Sequence, residues 1–97
     1  MRYVDEDRLC IITGARGVDL HHIRARGMGG NHNPIFDEPW NLLPICHQKH
    51  EYLHKIGFKT FVERHPKVRA WLMANGWTLD WFSQKWRHPR EKEVNKT

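Results

Sequence analysis

Branched apolar residues gather in two short runs near the start of the chain. Arg8 to Ile12 predicts one strand, ended by Thr13-Gly14, and Val18 to Ile23 predicts a second. Gly27 to Pro34 is a stretch of glycine, asparagine and proline, and predicts a long loop. Asn41 to Pro44 reads as a short extended return. Cys46 to Ile56 then shifts to a helical rhythm closed by Gly57, and Phe58 to Arg64 predicts a short helix ending before His65-Pro66. Pro66 suits a helix start, with the helix running through Asn75 and stopping at Gly76. Trp77 to Trp86 is read as one or two more helical turns, and Arg87 to Thr97 as a charged, frayed tail. The aromatic and apolar residues Trp71, Leu72, Trp77, Trp81 and Trp86 are expected in a core or interface. No repeat and no low-complexity tract interrupts the pattern.

The helix at 46–56 carries two faces. At about 100° per residue, Ile45, Cys46, Lys49, Tyr52, Leu53 and Ile56 share one half, while His47, His50 and His54 fall within about 60° of each other on the other. A solvated face usually carries Lys and Glu, so a stripe of three histidines changes the picture. Six of the eight histidines lie between positions 21 and 54, including the doublet His21-His22. Histidines four apart on a helix stand about 5–6 Å apart at Cβ and can share one ion. Two ligands hold a catalytic metal poorly, and His21 or His22 is the obvious third. Three protein ligands leave positions open for water and a phosphate oxygen. In a regular strand His21 and His22 point to opposite faces, so both serve one site only where the strand ends or twists. A metal-free imidazole there would be a natural general base for water.

Length and charge bound this reading. The 97 residues suffice for one small domain with a thin core. No apolar run approaches the roughly 20 residues of a membrane span. Met1 to Asp7 forms no apolar signal segment, and two cysteines make no disulfide framework, so a cytoplasmic location is expected. Residues 1–54 carry six Lys/Arg against seven Asp/Glu, whereas residues 55–97 carry ten against four. A basic half beside a histidine-rich half suits nucleic acid. Taken alone, the charge reads first as a solvated surface.

The string Asp19-Leu20-His21-His22-Ile23, a glycine-rich gap, then Asn41-Leu42-Leu43-Pro44-Ile45-Cys46 and His50 resembles the motif of the HNH endonucleases. It is closest to the branch that ligates metal through histidine, and the small size is similar to phage or prophage members. The resemblance covers roughly residues 8–57. It implies an α+β fold: a ββα-metal (His-Me finger) core with a short two-stranded antiparallel sheet, a C-terminal helical basic extension over about 58–97, and one domain over 1–97. It also implies candidate catalytic residues His22, as general base, and Asn41, which pins the loop and orients that base. His21, His50 and His54 are implied as ligands of one divalent ion (Mn, Mg, Ni or Zn). Asp19 is read as the partner that fixes the His21 tautomer, with direct ligation as the lesser alternative.

The implied reaction is DNA hydrolysis to a 5′-phosphate and a 3′-hydroxyl, nicking with low sequence specificity, by a monomer or homodimer away from membranes. Arg24 and Arg26 are the candidate phosphate contacts, Arg16 a weaker one, with a solvated loop arginine as the competing reading for each. Lys67, Arg69, Lys85, Arg87 and Arg90 are candidates for sequence-neutral backbone contacts. Family members often carry paired Cys-x2-Cys knuckles. Here each keeps one cysteine, so Cys10 and Cys46 are expected as small packed residues, a Cys10–Cys46–His47 zinc site being the minority alternative. His32, His65 and His88 are read as surface or loop residues. A non-catalytic zinc-stabilised nucleic-acid-binding module is the runner-up, and a phage-assembly accessory protein the third reading.

Overall fold

The structure is a computed structural model and describes residues 4–24 and 34–91. It is a small α+β fold with two antiparallel sheets and three helices. Strands β1 (Val4–Leu9), β2 (Arg16–His22) and β3 (Leu42–Ile45) form the first sheet in the order β1-β2-β3. The sheet therefore has three strands where two were expected, because the return after Asn41 pairs fully with β2. Its register sets Asp19 opposite Ile45, His21 opposite Leu43 and His22 opposite Leu42. Pro44 lacks an amide donor and is tolerated because β3 is an edge strand.

The first strand lies earlier than the expected Arg8–Ile12. From Cys10 onward the amides of Cys10, Ile12, Thr13 and Gly14 are claimed by a turn, while that of Ile11 donates to Pro44 O at 3.2 Å. Cys10 N–H donates to Ala15 O at 2.8 Å, Gly14 N–H to Cys10 O at 2.9 Å, and the amides of Ile12 and Thr13 donate to Cys10 Sγ at 3.4 Å each. Cys10 is buried in the core, yet its thiol also accepts hydrogen bonds, which is more than filling space. Burial pushes the thiol up, but the Thr13 hydroxyl and the amides of Thr13, Cys46 and Ile12 outweigh it and hold the pKa at about 7, below the ordinary 9.0.

Helices α1 (His47–Ile56), α2 (Phe58–Arg64) and α3 (Pro66–Ala74) follow as expected. Gly57 ends α1 at φ 90°, its amide donating to Leu53 O at 2.8 Å. Leu53 points from α1 into a core shared with Val18, Leu43 and Ile45 of the sheet, Phe61 and Val62 of α2, Val68 and Leu72 of α3, and Phe36, Trp40 and Trp77. No helix among the described residues is long and apolar enough to cross a membrane.

Residues 77–86 are not helical. They form a hairpin of β4 (Thr78–Asp80) and β5 (Lys85–Arg87), with Leu79 opposite Trp86. Trp77 is buried, and its Nε1–H donates to Trp40 O at 2.7 Å. Trp81, expected in a core, is 77% exposed at the hairpin turn. His88 departs the other way. It is buried, stacks on Trp40 with centroids 4.3 Å apart, donates Nε2–H to Asn75 O at 2.7 Å, and accepts from the Arg90 amide at 3.0 Å. A Cβ on Gly76 would stand 2.9 Å from His88 Nε2, so this close approach, and φ 93°, demand glycine. His65 is half-buried between Phe61 O and Lys49, and His32 lies outside the described residues.

Candidate metal centre

Strand β2 and helix α1 meet through their polar faces. Asp19 and His21 share one face of β2, two residues apart, and α1 supplies His47, His50 and His54 toward them. Nδ1 of His21 lies 3.2 Å from Nε2 of His50, which in turn lies 3.0 Å from Nε2 of His54. One ring nitrogen from each of the three histidines falls within 4.8 Å of the others.

The separations of 3.2 and 3.0 Å suit a cation. With metal–nitrogen bonds of about 2.0–2.1 Å, neighbouring ligand atoms at right angles stand roughly 3.0 Å apart, and tetrahedral ones roughly 3.4 Å. Asp19 sharpens the fit. His50 donates Nδ1–H to Asp19 Oδ2 at 3.0 Å, which leaves the lone pair of a neutral ring on Nε2, facing the other two nitrogens. Burial, and then repulsion from His50, His54 and His22 in their charged forms, drive the His21 pKa down to about 3, so this ring is neutral near pH 7. Ring nitrogens that converge in this way can ligate one ion through their lone pairs. The Phe58 ring stacks against His21 with centroids 6.1 Å apart.

Asp19 does not have the role expected of it. Its hydrogen bonds run to His50 and to His47, whose Nδ1–H lies 2.8 Å from Oδ2, rather than to the tautomer of His21. The register explains this: α1 crosses β2 so that the first and second turns of the helix stand over Asp19 and the second and third over His21. His47, 51% exposed in its side chain, belongs to the Asp19 bond and not to the cluster of three.

His22 ends β2 and turns elsewhere. Its Nε2–H donates to Asp37 Oδ1 at 2.8 Å, which in the neutral ring leaves the lone pair on Nδ1. Asp37 closes the 3₁₀ turn Pro34–Asp37. Fully buried Asn41 ties both segments together. Its Oδ1 accepts from the Arg24 amide at 2.8 Å, its Nδ2 donates to Arg24 O at 2.9 Å and Phe36 O at 2.8 Å, and its own carbonyl accepts from the Ile23 amide at 3.0 Å. One amide side chain thus fixes the residues after His22 and the residue before Asp37.

The expected phosphate contacts fare differently. The Arg24 guanidinium is engaged within the fold, with Glu91 at 3.0 Å and Trp86 O at 3.4 Å, while Arg26 lies outside the described residues. Arg90 forms a fork with Glu38 at 2.9 and 3.0 Å, and Lys67 donates to Ile12 O at 3.3 Å. Asp37 and Phe58 were missed by sequence reasoning. Asp37 carried one faint signal, an acid in the loop between the histidine doublet and Asn41. Phe58 carried none.

Comparison with known proteins bears on this geometry. No curated relative and no solved structure matches the chain. A family model described as "Putative HNHc nuclease" matches residues 1–76, a span that includes every histidine of the cluster, His22, Asp37 and Asn41. On that match, the chain belongs to the HNH nuclease family, whose substrate is nucleic acid and whose members use a divalent metal.

Proposed function

We propose that this protein is a metal-dependent endonuclease that hydrolyses DNA phosphodiester bonds, one strand at a time and with little sequence preference. In this reading residues 1–97 are one nuclease domain, and β2, β3 and α1 are its ββα-metal core. The observation that carries the reading is the division of labour among four histidines. Ring nitrogens of three converge within 4.8 Å of one another, and the fourth histidine, one residue along the strand from His21, is bonded to a carboxylate instead.

Each side chain then has a task. His21 Nδ1, His50 Nε2 and His54 Nε2 hold one divalent ion of the Mn, Mg, Ni or Zn kind. When bound, that ion supplies Lewis-acid stabilisation of the charge that builds on the phosphate and the departing 3′ oxygen. Asp19 keeps the His50 lone pair turned inward. His22 takes a proton onto Nδ1 from the water that attacks phosphorus, while Asp37 holds the ring through Nε2 and stabilises the imidazolium that forms. Asn41 positions the base by pinning the chain on both sides of it. Arg26 remains the proposed phosphate contact. Arg24 would serve only by exchanging Glu91 for phosphate.

The test is nicking of supercoiled plasmid by wild type and His22→Ala with Mn, Mg or Ni added. Wild type yields open-circular DNA only with metal. His22→Ala retains metal but cuts about 10²–10⁴-fold more slowly, the range a general base supplies. A His22→Ala variant as fast as wild type removes His22 from the reaction. Wild type inert with every ion favours a non-catalytic nucleic-acid-binding module.

A further inference from the structure

The second sheet encloses a groove that the cleavage chemistry leaves unused. Three adjoining cavities of about 210, 340 and 310 Å³ run along the β4–β5 hairpin where it faces α2 and α3, and Trp86 lines all three. The first begins at Ile23 and Arg24, the residues directly after His22, and includes Phe58, whose ring stacks on the ligand His21. The groove therefore starts beside residues that adjoin the proposed reaction site. Each cavity lies below or at the low end of the roughly 300–1,000 Å³ typical of a drug-sized pocket, a size suited to single planar groups.

The lining has two chemistries. Lys59 and Lys85 line the first cavity and Arg69 the other two, and among the described residues none of the three forms an ion pair. Glu63 is the one acid in the lining of the three cavities. The same cavities are lined by aromatic faces: half-buried Trp86 in all three and Trp81, 77% exposed, in the second and third. Phe82 beside it is fully exposed.

The turn that presents Trp81 and Phe82 is braced. Gln84 N–H donates to Asp80 O at 2.7 Å, Gln84 Nε2 to Trp81 O at 2.8 Å, and the Phe82 amide to Asp80 Oδ1 at 3.0 Å. Gln84 accepts φ 58°, a left-handed conformation costing a non-glycine residue about 1–2 kcal/mol. A strained, cross-braced turn that holds two large apolar rings in water is preorganised for a ligand with flat apolar faces.

We propose that this groove holds an unpaired nucleic-acid strand leading away from the cleavage site, with bases stacked on Trp86 and Trp81 and phosphates on Lys59, Lys85 and Arg69. The inference rests on the nuclease reading above. Aromatic faces can stack only with bases free of a duplex, and cations and rings in one groove are the chemistry of single-strand binding. An apolar protein face would match the rings but offer Lys59, Lys85 and Arg69 no anionic acceptor, whereas each nucleotide supplies a flat ring together with a charge.

The test measures fluorescence anisotropy of labelled 12-nucleotide oligo-dT, oligo-U and a duplex of equal length, with wild type in EDTA to prevent cleavage. At least one single strand is expected to bind about tenfold or more tightly than the duplex, and comparison of the two gives the sugar preference. Trp81→Ala, at an exposed position that the fold does not need, lowers single-strand affinity about 5- to 150-fold, the equivalent of about 1–3 kcal/mol per stacked base. Lys59→Ala with Lys85→Ala reduces the slope of log affinity against log salt by about 1.4, at roughly 0.7 per phosphate contact.

Equal affinity for strand and duplex, or a Trp81→Ala variant that binds like wild type, overturns the proposal. So does a dimer, seen by light scattering, that Trp81→Ala dissociates, since the face would then belong to a second copy. Metal-dependent nicking without single-strand preference sinks this inference and spares the nuclease reading. Single-strand binding without nicking supports the groove and sinks the nuclease reading.

Discussion

Replacing Asp19 by alanine isolates what one buried carboxylate does for the metal. Asp19 is 2% exposed, and its Oδ2 takes two imidazole hydrogens, from His50 at 3.0 Å and from His47 at 2.8 Å. The two losses are unequal. The His47 side chain is 51% exposed and turns to water, whereas that of His50 is 16% exposed and is left with a nearly buried donor. His50 also becomes free to move its hydrogen to Nε2, the atom proposed to ligate. A hydrogen bond to a charged group is worth about 1.5–3 kcal/mol. At 1.4 kcal/mol per tenfold, that corresponds to about 10–150-fold, and carboxylate partners of ligating histidines typically contribute about 10–100-fold. Asp19→Ala should therefore weaken Mn or Zn binding about 10–100-fold, with Asp19→Asn, which keeps an acceptor but loses the charge, falling between. Titration calorimetry at pH 7.5 reads the affinity and circular dichroism confirms the fold. His47→Ala is the control: an exposed pair is worth about 0.2–1 kcal/mol, so its affinity should change no more than about fivefold. A folded Asp19→Ala protein that binds metal like wild type would refute the tautomer argument.

Asp37→Ala should lower kcat about 10–150-fold through loss of one charge-assisted bond to His22, with metal affinity and KM unchanged; steady-state cleavage of a short substrate separates these constants. Asn41→Asp replaces the amide that donates to Arg24 O and Phe36 O with a carboxylate facing both carbonyls, and should destabilise the fold by about 3 kcal/mol or more in urea. An unchanged denaturation midpoint would show that Asn41 pins nothing. The Cys10 thiol is held at about 7 in the fold and ordinarily ionises near 9.0, so between those values the unfolded chain carries a proton that the folded chain lacks. Stability should then rise as pH increases from about 7 toward 9 and be lost as pH falls through 7. Thermal melts of wild type should show this slope and those of Cys10→Ala should not.

The helices and their ends were legible in the chain because they depend on local chemistry. Gly57 and Gly76 take positive φ angles, Pro66 starts α3, and the histidine stripe on α1 follows from helical geometry alone. The hairpin at 78–87 was illegible for an equally local reason. Its turn contains no glycine, asparagine or proline and is closed by Gln84 in a left-handed conformation that side-chain bonds support. Aromatic spacing there fits a helix as well as two three-residue strands, and the pairing of Leu79 with Trp86 decides between them. His88 was misjudged because a stacking partner 48 positions away, Trp40, cannot be read from its neighbours.

By itself the order of residues determined which groups could ligate: a histidine pair one turn apart, a doublet ahead of it, and an asparagine between. Spacing along a helix or strand sets direction, so those choices need no knowledge of the rest of the molecule. Only tertiary packing decided the rest: α1 crossing β2 brings His21 to the pair and Asp19 to His50, and the 3₁₀ turn pinned by Asn41 brings Asp37 to His22. Those contacts join residues 15 to 31 positions apart. Their geometry depends on the crossing of two elements and the register of a sheet, which no local pattern encodes.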